Sequence, residues 1–205
     1  FQRGFDRINV PSVLTTLVTD ELDFPNLSMV GVDDRAAAYT AVDYLIRQGH
    51  RKIAVLGGPV TSYPSLMRRQ GAQQAMEDAG IVFNDKLYGL SNYDFESAYH
   101  AMNSLLARRA EFTALFAMSD VIAFGAIRAL VSAGLRVPED VSVIGFDGIT
   151  MSRYCVPVMT TIVQPSEQIA LQSIELLVRQ IEHGSPAQTV TLQPELQQGE
   201  SVRAI

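Results

Sequence analysis

A carboxylate closes one of the most apolar stretches of the chain. Residues 137–148 read VPEDVSVIGFDG, so that the apolar run leads directly into Asp147 and Gly148. A carboxylate in that position can accept two hydrogen bonds, a geometry that suits neighbouring hydroxyls of a sugar or a ligand nitrogen. An aspartate at a strand end can equally order a loop or cap a helix, so Asp147 alone leaves both interpretations open.

Four more polar side chains stand close behind predicted strands. Ser119 follows TALFAM, Tyr93 follows LYGLS, Gln164 follows TTIV, and Arg68 lies in the segment after KIAVLGG. In open parallel α/β sheets, ligands bind beyond the carboxyl ends of the strands, where the loops converge. We therefore expect these residues and Asp147 to open onto one crevice.

The elements that must position these residues alternate between strand and helix. Residues 34–48 repeat apolar positions at the i, i+3, i+4, i+7 spacing of a helix, with Asp34 predicted as its N-cap and Gly49 as its stop. Asp94 and Asp120 are predicted to cap two later helices, and for Asp120 we favour the cap over a ligand contact. The strands between helices are apolar throughout, which is typical of parallel strands covered on both faces. The pattern predicts a doubly wound α/β sheet.

The two ends of the chain are less regular. Residues 11–18 and 28–32 predict strands with no convincing helix between them, as at the edge of an incomplete sheet. Residues 147–159 predict a long loop. A helix over 166–182, with Ile174, Leu177 and Ile181 on one side, and a last strand over 189–193 complete the chain.

Composition excludes several classes of function. The 205 residues carry a net charge of −6, which leaves no basic field to hold nucleic acid within this chain. The single cysteine, Cys155, cannot form an internal disulfide, which fits a reducing compartment. His50, His100 and His183 are widely spaced, so we expect no metal site. No apolar run approaches the roughly 20 residues of a membrane span.

Enzymatic motifs are missing as well. LGGPVTS lacks the G-x-G-x-x-G of dinucleotide-binding proteins. Asp33 and Asp34 could form the acid pair of a phosphoacceptor domain, but such domains are far shorter. Cys155 and the histidines lie in unrelated elements and predict no nucleophilic site. We expect no enzyme and no cofactor.

Three motifs in order resemble the effector-binding domain of LacI/GalR-type transcription repressors. They are HRKIAVLGGP with a following R-x-x-G, the run ALFAMSDVIAFGAIRALVSAGLRVPEDVSVIGFDG, and MTTIVQP before a long helix. The resemblance covers the chain from about Gly31 to Glu195. It implies the two-lobed fold of periplasmic sugar-binding proteins, with a doubly wound parallel sheet in each lobe.

The resemblance also implies how the chain divides between lobes. Residues 1–33 and 165–190 would form an incomplete N-terminal lobe, and residues 34–164 and 191–205 the C-terminal lobe. The chain begins at Phe1, and we expect that a DNA-binding headpiece, its hinge and the first elements of the N-terminal lobe belong in front of it.

The same resemblance implies roles for the site residues. Arg68 matches an arginine that contacts the effector from the start of a helix, and Asp147 matches the effector-binding aspartate. Ser119 stands at a position that is often asparagine, Tyr93 matches an aromatic that stacks on a sugar or base ring, and Gln164 is a crossover residue near the ligand.

Two positions depart from the family pattern. Gly199 occurs in LQQGES, where relatives usually carry an arginine, so the last turns are expected to pack differently. Pro64 replaces a hydroxyl residue that often touches the ligand, which indicates a different effector from the better-known sugars.

The expected function is that of a cytoplasmic, homodimeric repressor domain. A sugar or sugar derivative would bind between the lobes and alter operator binding through the headpiece. Dimerisation is expected around 122–131 and the apolar loop 151–158. The alternative is a periplasmic sugar-binding protein of a transport system, which shares the GFD and T-x-x-Q motifs; GHRKIA and VPEDVSVIG favour the repressor.

Overall fold

The computed structural model describes residues 9–20, 22 and 24–205, and these form two compact units. One unit comprises the described residues up to Asp33 together with Gln164–Pro194, and the other comprises Asp34–Val163 with Glu195–Ile205. The last division falls after Pro194 rather than after residue 190, because the strand that includes residues 191 and 192 pairs within the first unit.

Nine strands and five α-helices are present in the described residues. The strands are β1 Ser12–Thr15, β2 Leu27–Val32, β3 Ile53–Gly57, β4 Tyr88–Leu90, β5 Ala114–Ala117, β6 Ser142–Asp147, β7 Thr160–Val163, β8 Thr189–Leu192 and β9 Glu195–Gln197. The helices are α1 Asp34–Arg47, α2 Tyr63–Asp78, α3 Phe95–Ala107, α4 Asp120–Ser132 and α5 Ser166–His183. No helix among these residues is both long enough and apolar enough to span a bilayer.

The larger unit is built on a six-stranded sheet in the order β4-β3-β5-β6-β7-β9. Its first five strands are parallel, and β3 and β5 are buried along their whole length. Helix α1 packs against α2 and α3 packs against α4. The predicted parallel α/β architecture is confirmed, since strands without polar alternation need apolar cover on both faces.

Strand β9 is the one element of this sheet that the sequence did not predict. It is three residues long and pairs with β7 in the antiparallel sense. ELQ carries no apolar alternation, and its strand conformation depends on hydrogen bonds to a partner more than thirty residues earlier in the chain.

The smaller unit contains the parallel sheet β1-β2-β8, on which α5 packs. The buried residues of α5 are Ile169, Ser173, Leu176 and Gln180. The predicted apolar side is wrong, because Ile174 and Ile181 are 62% and 63% exposed. The buried face includes two polar residues whose hydrogen bonds are satisfied, Ser173 by the Ile169 carbonyl and Gln180 by Ser28. Hydrophobic periodicity cannot detect such a face.

Helix boundaries confirm the predicted N-cap of α3 and correct that of α4. Asp94 caps α3 by accepting a hydrogen bond from the Ser97 amide at 2.7 Å. Helix α4, however, is capped by Ser119, whose hydroxyl accepts a hydrogen bond from the Ile122 amide, and Asp120 is the first helical residue. The prediction of Asp120 as the cap is therefore wrong. Either of two adjacent polar residues can cap a helix, and the sequence does not say which one does.

Candidate ligand-binding site

Polar side chains meet at the carboxyl edge of the six-stranded sheet. Tyr93 follows β4, Ser119 follows β5, and Asp147 is the last residue of β6, while Arg68 reaches this edge from α2. These strands run parallel, so their carboxyl ends lie at one edge, where α/β proteins bind ligands. The structure brings Arg68 and Asp147 within 3.6 Å, measured from Nη1 to Oδ1.

Arg68 is held in one orientation from three sides. Its Nε donates to Asp34 Oδ1 at 2.7 Å, and its Nη1 donates to the Met118 carbonyl at 2.5 Å. The guanidinium also stacks on Phe146, 3.7 Å from the ring centroid. Arg68 is only 6% exposed. A guanidinium fixed in this way presents its remaining donors to a ligand without further ordering.

The Asp34 carboxylate that pairs with Arg68 is the one predicted to cap α1. Helix α1 begins at Asp34 itself, and this residue is 5% exposed. The ion pair is buried on both sides, and removing either partner from such a pair is strongly destabilising. Asp34 thus supports the site by orienting Arg68.

Asp147 has an unusual backbone conformation. Its φ of 113° lies in a region that residues other than glycine rarely adopt. Its side chain is 27% exposed, in contrast with the buried residues of β6 that precede it. Strained residues of this kind persist where the surrounding structure imposes them, commonly at ligand sites. The apolar strand ends in an acid because the chain turns at Asp147 and leaves its carboxylate accessible.

Gly148 makes this turn possible because it lacks a side chain. Its φ is 71°, and a Cβ atom there would lie 2.7 Å from Val163 Cγ2. An alanine at this position would therefore be strained twice, by its backbone conformation and by the contact.

Asp120 is the residue whose role the sequence missed. It is fully buried, with Oδ1 accepting from the Thr161 hydroxyl at 2.6 Å and Oδ2 accepting from the Ile149 amide at 2.8 Å. Asp120 thereby ties the loop after Asp147 to β7. Burial, with a smaller contribution from the charge of Asp147, raises the pKa of Asp120 to about 6. The sequence shows two adjacent polar residues, Ser119 and Asp120, directly after a strand. It does not show the hydrogen bonds of Asp120 to Thr161 and Ile149, because these depend on the fold.

Tyr93 is the second predicted site residue with a left-handed backbone. Its φ is 61°, and its ring lies directly against Gly58 after β3. The Tyr93 hydroxyl is buried and makes no hydrogen bond to any described residue. Four described residues other than glycine have positive φ, and two of them are Tyr93 and Asp147. This concentration supports a ligand site at the carboxyl edge.

The two remaining predicted site residues, Ser119 and Gln164, make different contacts. Ser119 is 4% exposed and caps α4, and its hydroxyl retains a hydrogen that it can donate. Gln164 is the first residue of the smaller unit after β7, and its carbonyl accepts from the Ser166 amide at 2.8 Å. Ligand contact by either residue stays a prediction.

Histidines and acids form no metal centre in the described part of the chain, where no three potential ligands cluster. His50 is buried in a structural role, with Nδ1 2.9 Å from Thr113 Oγ1 and Nε2 3.1 Å from the Arg203 carbonyl. Burial lowers the pKa of His50, which favours the neutral ring.

The two residues that depart from the family pattern are Gly199 and Pro64, and they lie in different parts of the larger unit. The Gly199 amide donates to Thr160 Oγ1 at 3.0 Å, and a Cβ atom at Gly199 would lie 2.5 Å from the Val158 carbonyl oxygen. No side chain fits there without movement of the backbone. Pro64 is the second residue of α2, directly after the start of the helix, where proline is well tolerated.

The fold consists of two α/β units, and the larger unit brings charged side chains together at the carboxyl edge of its sheet. Residues 42–202 match the family model described as periplasmic binding protein-like domain. The match covers most of the chain, and the chain belongs to this family.

Similar proteins within this family are transcriptional regulators, and they confirm the resemblance to LacI-type regulators. The HTH-type transcriptional regulator MalR of Clostridium butyricum is 37% identical over 199 residues, which are 97% of this chain and 59% of MalR. The chain therefore spans little more than half the length of this relative. A structure of the transcriptional regulator CelR with cellobiose matches with a TM-score of 0.83 and 33% identity, over 88% of this chain and 56% of that one.

A third match is a LacI family transcriptional regulator from Enterococcus faecium with bound ribose. Its TM-score is 0.80 at 28% identity, over 87% of this chain and 66% of that one.

Proposed function

We propose that the chain is the effector-binding domain of a LacI-type transcriptional repressor and that its carboxyl edge binds a small neutral sugar or sugar derivative. The observation that carries the proposal is the pair formed by the immobilised Arg68 and the accessible, backbone-strained Asp147. The regulators among its relatives support this role over that of a transport protein or an enzyme.

The charges at this edge favour a neutral ligand. Two carboxylates, Asp34 and Asp147, lie beside the guanidinium of Arg68, so negative charge is already in excess. Asp120, which interacts with the charge of Asp147, adds a third negative charge when it is ionised. An anionic effector would meet repulsion in a partly buried place, where charges are poorly screened. Hydroxyl groups, by contrast, can donate to Asp147 and accept from Arg68. The Tyr93 ring offers an apolar surface to a sugar ring.

The proposed mechanism couples this binding to DNA. The ligand would also contact the smaller unit, with Gln164 as the candidate residue, and would favour one arrangement of the units over another. Only a difference in affinity between the two arrangements can shift their populations. Through a headpiece outside this chain, that shift would change affinity for an operator.

A homodimer is part of the proposal because the larger unit exposes apolar side chains together. Val156 and Tyr154, in the loop before β7, are 94% and 78% exposed. Val156 also lines a groove of about 420 Å³, together with Ile127 and Val131 of α4. Exposed apolar patches of this kind mark interaction surfaces. Sedimentation at micromolar concentration should give a dimer, with Val156→Asp shifting it to monomer; a monomeric parent protein would contradict this part.

Calorimetric titration with cellobiose, ribose and related sugars tests the ligand proposal. We expect at least one sugar to bind, and Asp147→Asn to weaken that sugar by about tenfold or more, because a charge-assisted hydrogen bond contributes about 1.5–3 kcal/mol. Asp43→Asn removes the same charge from an ion pair with Arg47, whose side chain is 76% exposed, and should leave affinity unchanged. Equal affinity of Asp147→Asn and the parent protein for every sugar that binds, or no binding at all, would overturn the proposal.

A further inference from the structure

The opposite edge of the six-stranded sheet has a cavity of its own. The segments that lead into β3, β4 and β5 enclose a groove of about 490 Å³. Its floor includes the buried side chains of Ile53, Met76 and Leu87. A volume of this size suits a small molecule.

Positive charge is concentrated in this groove. Five of the 16 lysines and arginines of the chain line it, namely Arg51, Lys52, Lys86, Arg108 and Arg109. Among the described residues that line the groove, Glu111 is the one acid. Five cations and one carboxylate leave four positive charges at one place in a chain whose net charge is −6. Because the chain is acidic overall, general surface composition does not explain this concentration.

The five cations differ in the hydrogen bonds and ion pairs that they already form within the protein. Lys52 forms an ion pair with Glu111, and Arg51 donates to the Ala79 carbonyl oxygen at 3.4 Å. The Nη1 atom of Arg108 donates to the carbonyl oxygens of Asp85, Lys86 and Tyr88, at 3.4, 3.2 and 2.9 Å, and so anchors the segment that carries Lys86.

Two cations remain available for a ligand. Within the described part of the chain, the side chains of Lys86 and Arg109 have no hydrogen-bond or ion-pair partner. Arg109 also has a left-handed backbone, with φ at 53°. A residue in this conformation commonly ends a helix, and Arg109 lies two residues beyond the last residue of α3. Arg108 thus fixes the position of the segment that carries Lys86, and Arg109 is the next residue in the chain.

We propose that this groove is an anion site that binds the phosphate group of a small phosphorylated molecule, with Lys86 and Arg109 as its principal contacts. The guanidinium fork of Arg109 can hold two phosphate oxygens at once, and Lys86 adds a point charge. The site stands apart from the acid-rich carboxyl edge, so it would take a second ligand of opposite chemistry. The concave shape favours a small molecule over an extended partner.

Titration calorimetry with pyrophosphate at low ionic strength tests this site on the intact chain. We expect saturable binding that weakens as salt is added. Lys86→Ala and Arg109→Gln should each weaken binding by about tenfold. Arg109→Lys should weaken it less than Arg109→Gln, because it keeps the charge but loses the two-pronged contact. Arg179→Ala removes an exposed arginine of α5 in the other unit and serves as the charge-matched control.

The outcomes separate this proposal from the one for the carboxyl edge. Asp147→Asn should bind pyrophosphate as the parent does, even if no sugar binds. Absence of saturable binding would overturn the anion site. An equal loss in Arg179→Ala and Lys86→Ala would also overturn it, since pyrophosphate would then respond to net charge alone.

Discussion

The two edges of the six-stranded sheet carry charge in opposite ways. At the carboxyl edge, Arg68, Asp34 and Asp120 are almost fully buried, and their hydrogen-bond partners are fixed. At the opposite edge, where β3, β4 and β5 begin and which we call the amino edge, Lys86 and Arg109 are exposed to solvent. Buried charges are costly to desolvate and need well-placed partners, whereas exposed charges need none. The carboxyl edge therefore holds its charged groups in one geometry, whereas Lys86 and Arg109 are not fixed by partners among the described residues.

The largest expected difference between the edges comes from Arg68→Ala. This change leaves the Asp34 carboxylate buried without the guanidinium that pairs with it, which should lower the free energy of unfolding by about 3–5 kcal/mol. Urea denaturation measures the loss. The control is Arg47→Ala, which breaks an ion pair whose arginine side chain is 76% exposed and should cost less than about 1 kcal/mol. Similar losses in both variants would remove the contrast between buried and exposed pairs.

The turn after β6 should be almost as sensitive. Gly148→Ala combines a left-handed backbone with a contact to Val163, and we expect a loss of about 2–3 kcal/mol in the free energy of unfolding. Gly134 has a similar φ of 81°, but a Cβ atom there would meet nothing within 4 Å, so Gly134→Ala should cost only about 1 kcal/mol. Thermal or urea unfolding of the two variants isolates the contact. Equal losses would show that the turn after Asp147 is not tightly packed.

Asp120 should give the carboxyl edge a distinctive pH dependence. Folding raises its pKa from 3.8 to about 6, so between these values the folded state binds more protons than the unfolded state. Stability from this group therefore rises as pH falls through that window. Between about pH 7.5 and pH 4.5, the wild type should gain about 2 kcal/mol relative to Asp120→Asn.

Urea denaturation across this pH range measures the difference, and Asp140 provides a control of opposite sign. The hydrogen bonds that Asp140 accepts from Arg136 lower its pKa to about 2, so the stability it contributes is lost as pH falls. Relative to Asp140→Asn, the wild type should lose stability toward acid pH. A difference between wild type and Asp120→Asn that does not vary with pH would contradict the role given to Asp120.

The smallest effect is expected at the amino edge. Lys52 and Glu111 form an ion pair whose side chains are 58% and 80% exposed. Lys52→Ala should therefore change the free energy of unfolding by less than about 1 kcal/mol in urea denaturation. A loss as large as that of Arg68→Ala would mean that this exposed ion pair contributes as much to stability as the buried pair at the carboxyl edge.

Local sequence patterns were sufficient where apolar periodicity or a capping residue marks an element. The apolar runs of β3, β5 and β6 predicted parallel strands, and Asp94 was recognised as the cap of α3. The position of Asp147 at the end of a strand then followed from the chain direction. These features are signalled by residue types within a few positions of one another, which the sequence shows directly.

Other features depended on residues far apart in the chain. The buried face of α5 includes Ser173 and Gln180, and Gln180 finds its partner at Ser28, 152 residues away. Asp120 was predicted to cap a helix, yet it bonds to Thr161 across the sheet. The groove of the amino edge gathers its cations from three separate segments.

The sequence by itself determined the alternation of strands and helices, the parallel sheet and the edge at which Asp147 stands. Only the tertiary structure decided that Arg68 is fixed by Asp34, that Asp120 holds the loop after Asp147, and which face of α5 is buried. The physical reason is that a periodic pattern records which positions avoid water, while a polar side chain is stabilised by whichever distant partner the fold brings within hydrogen-bond distance.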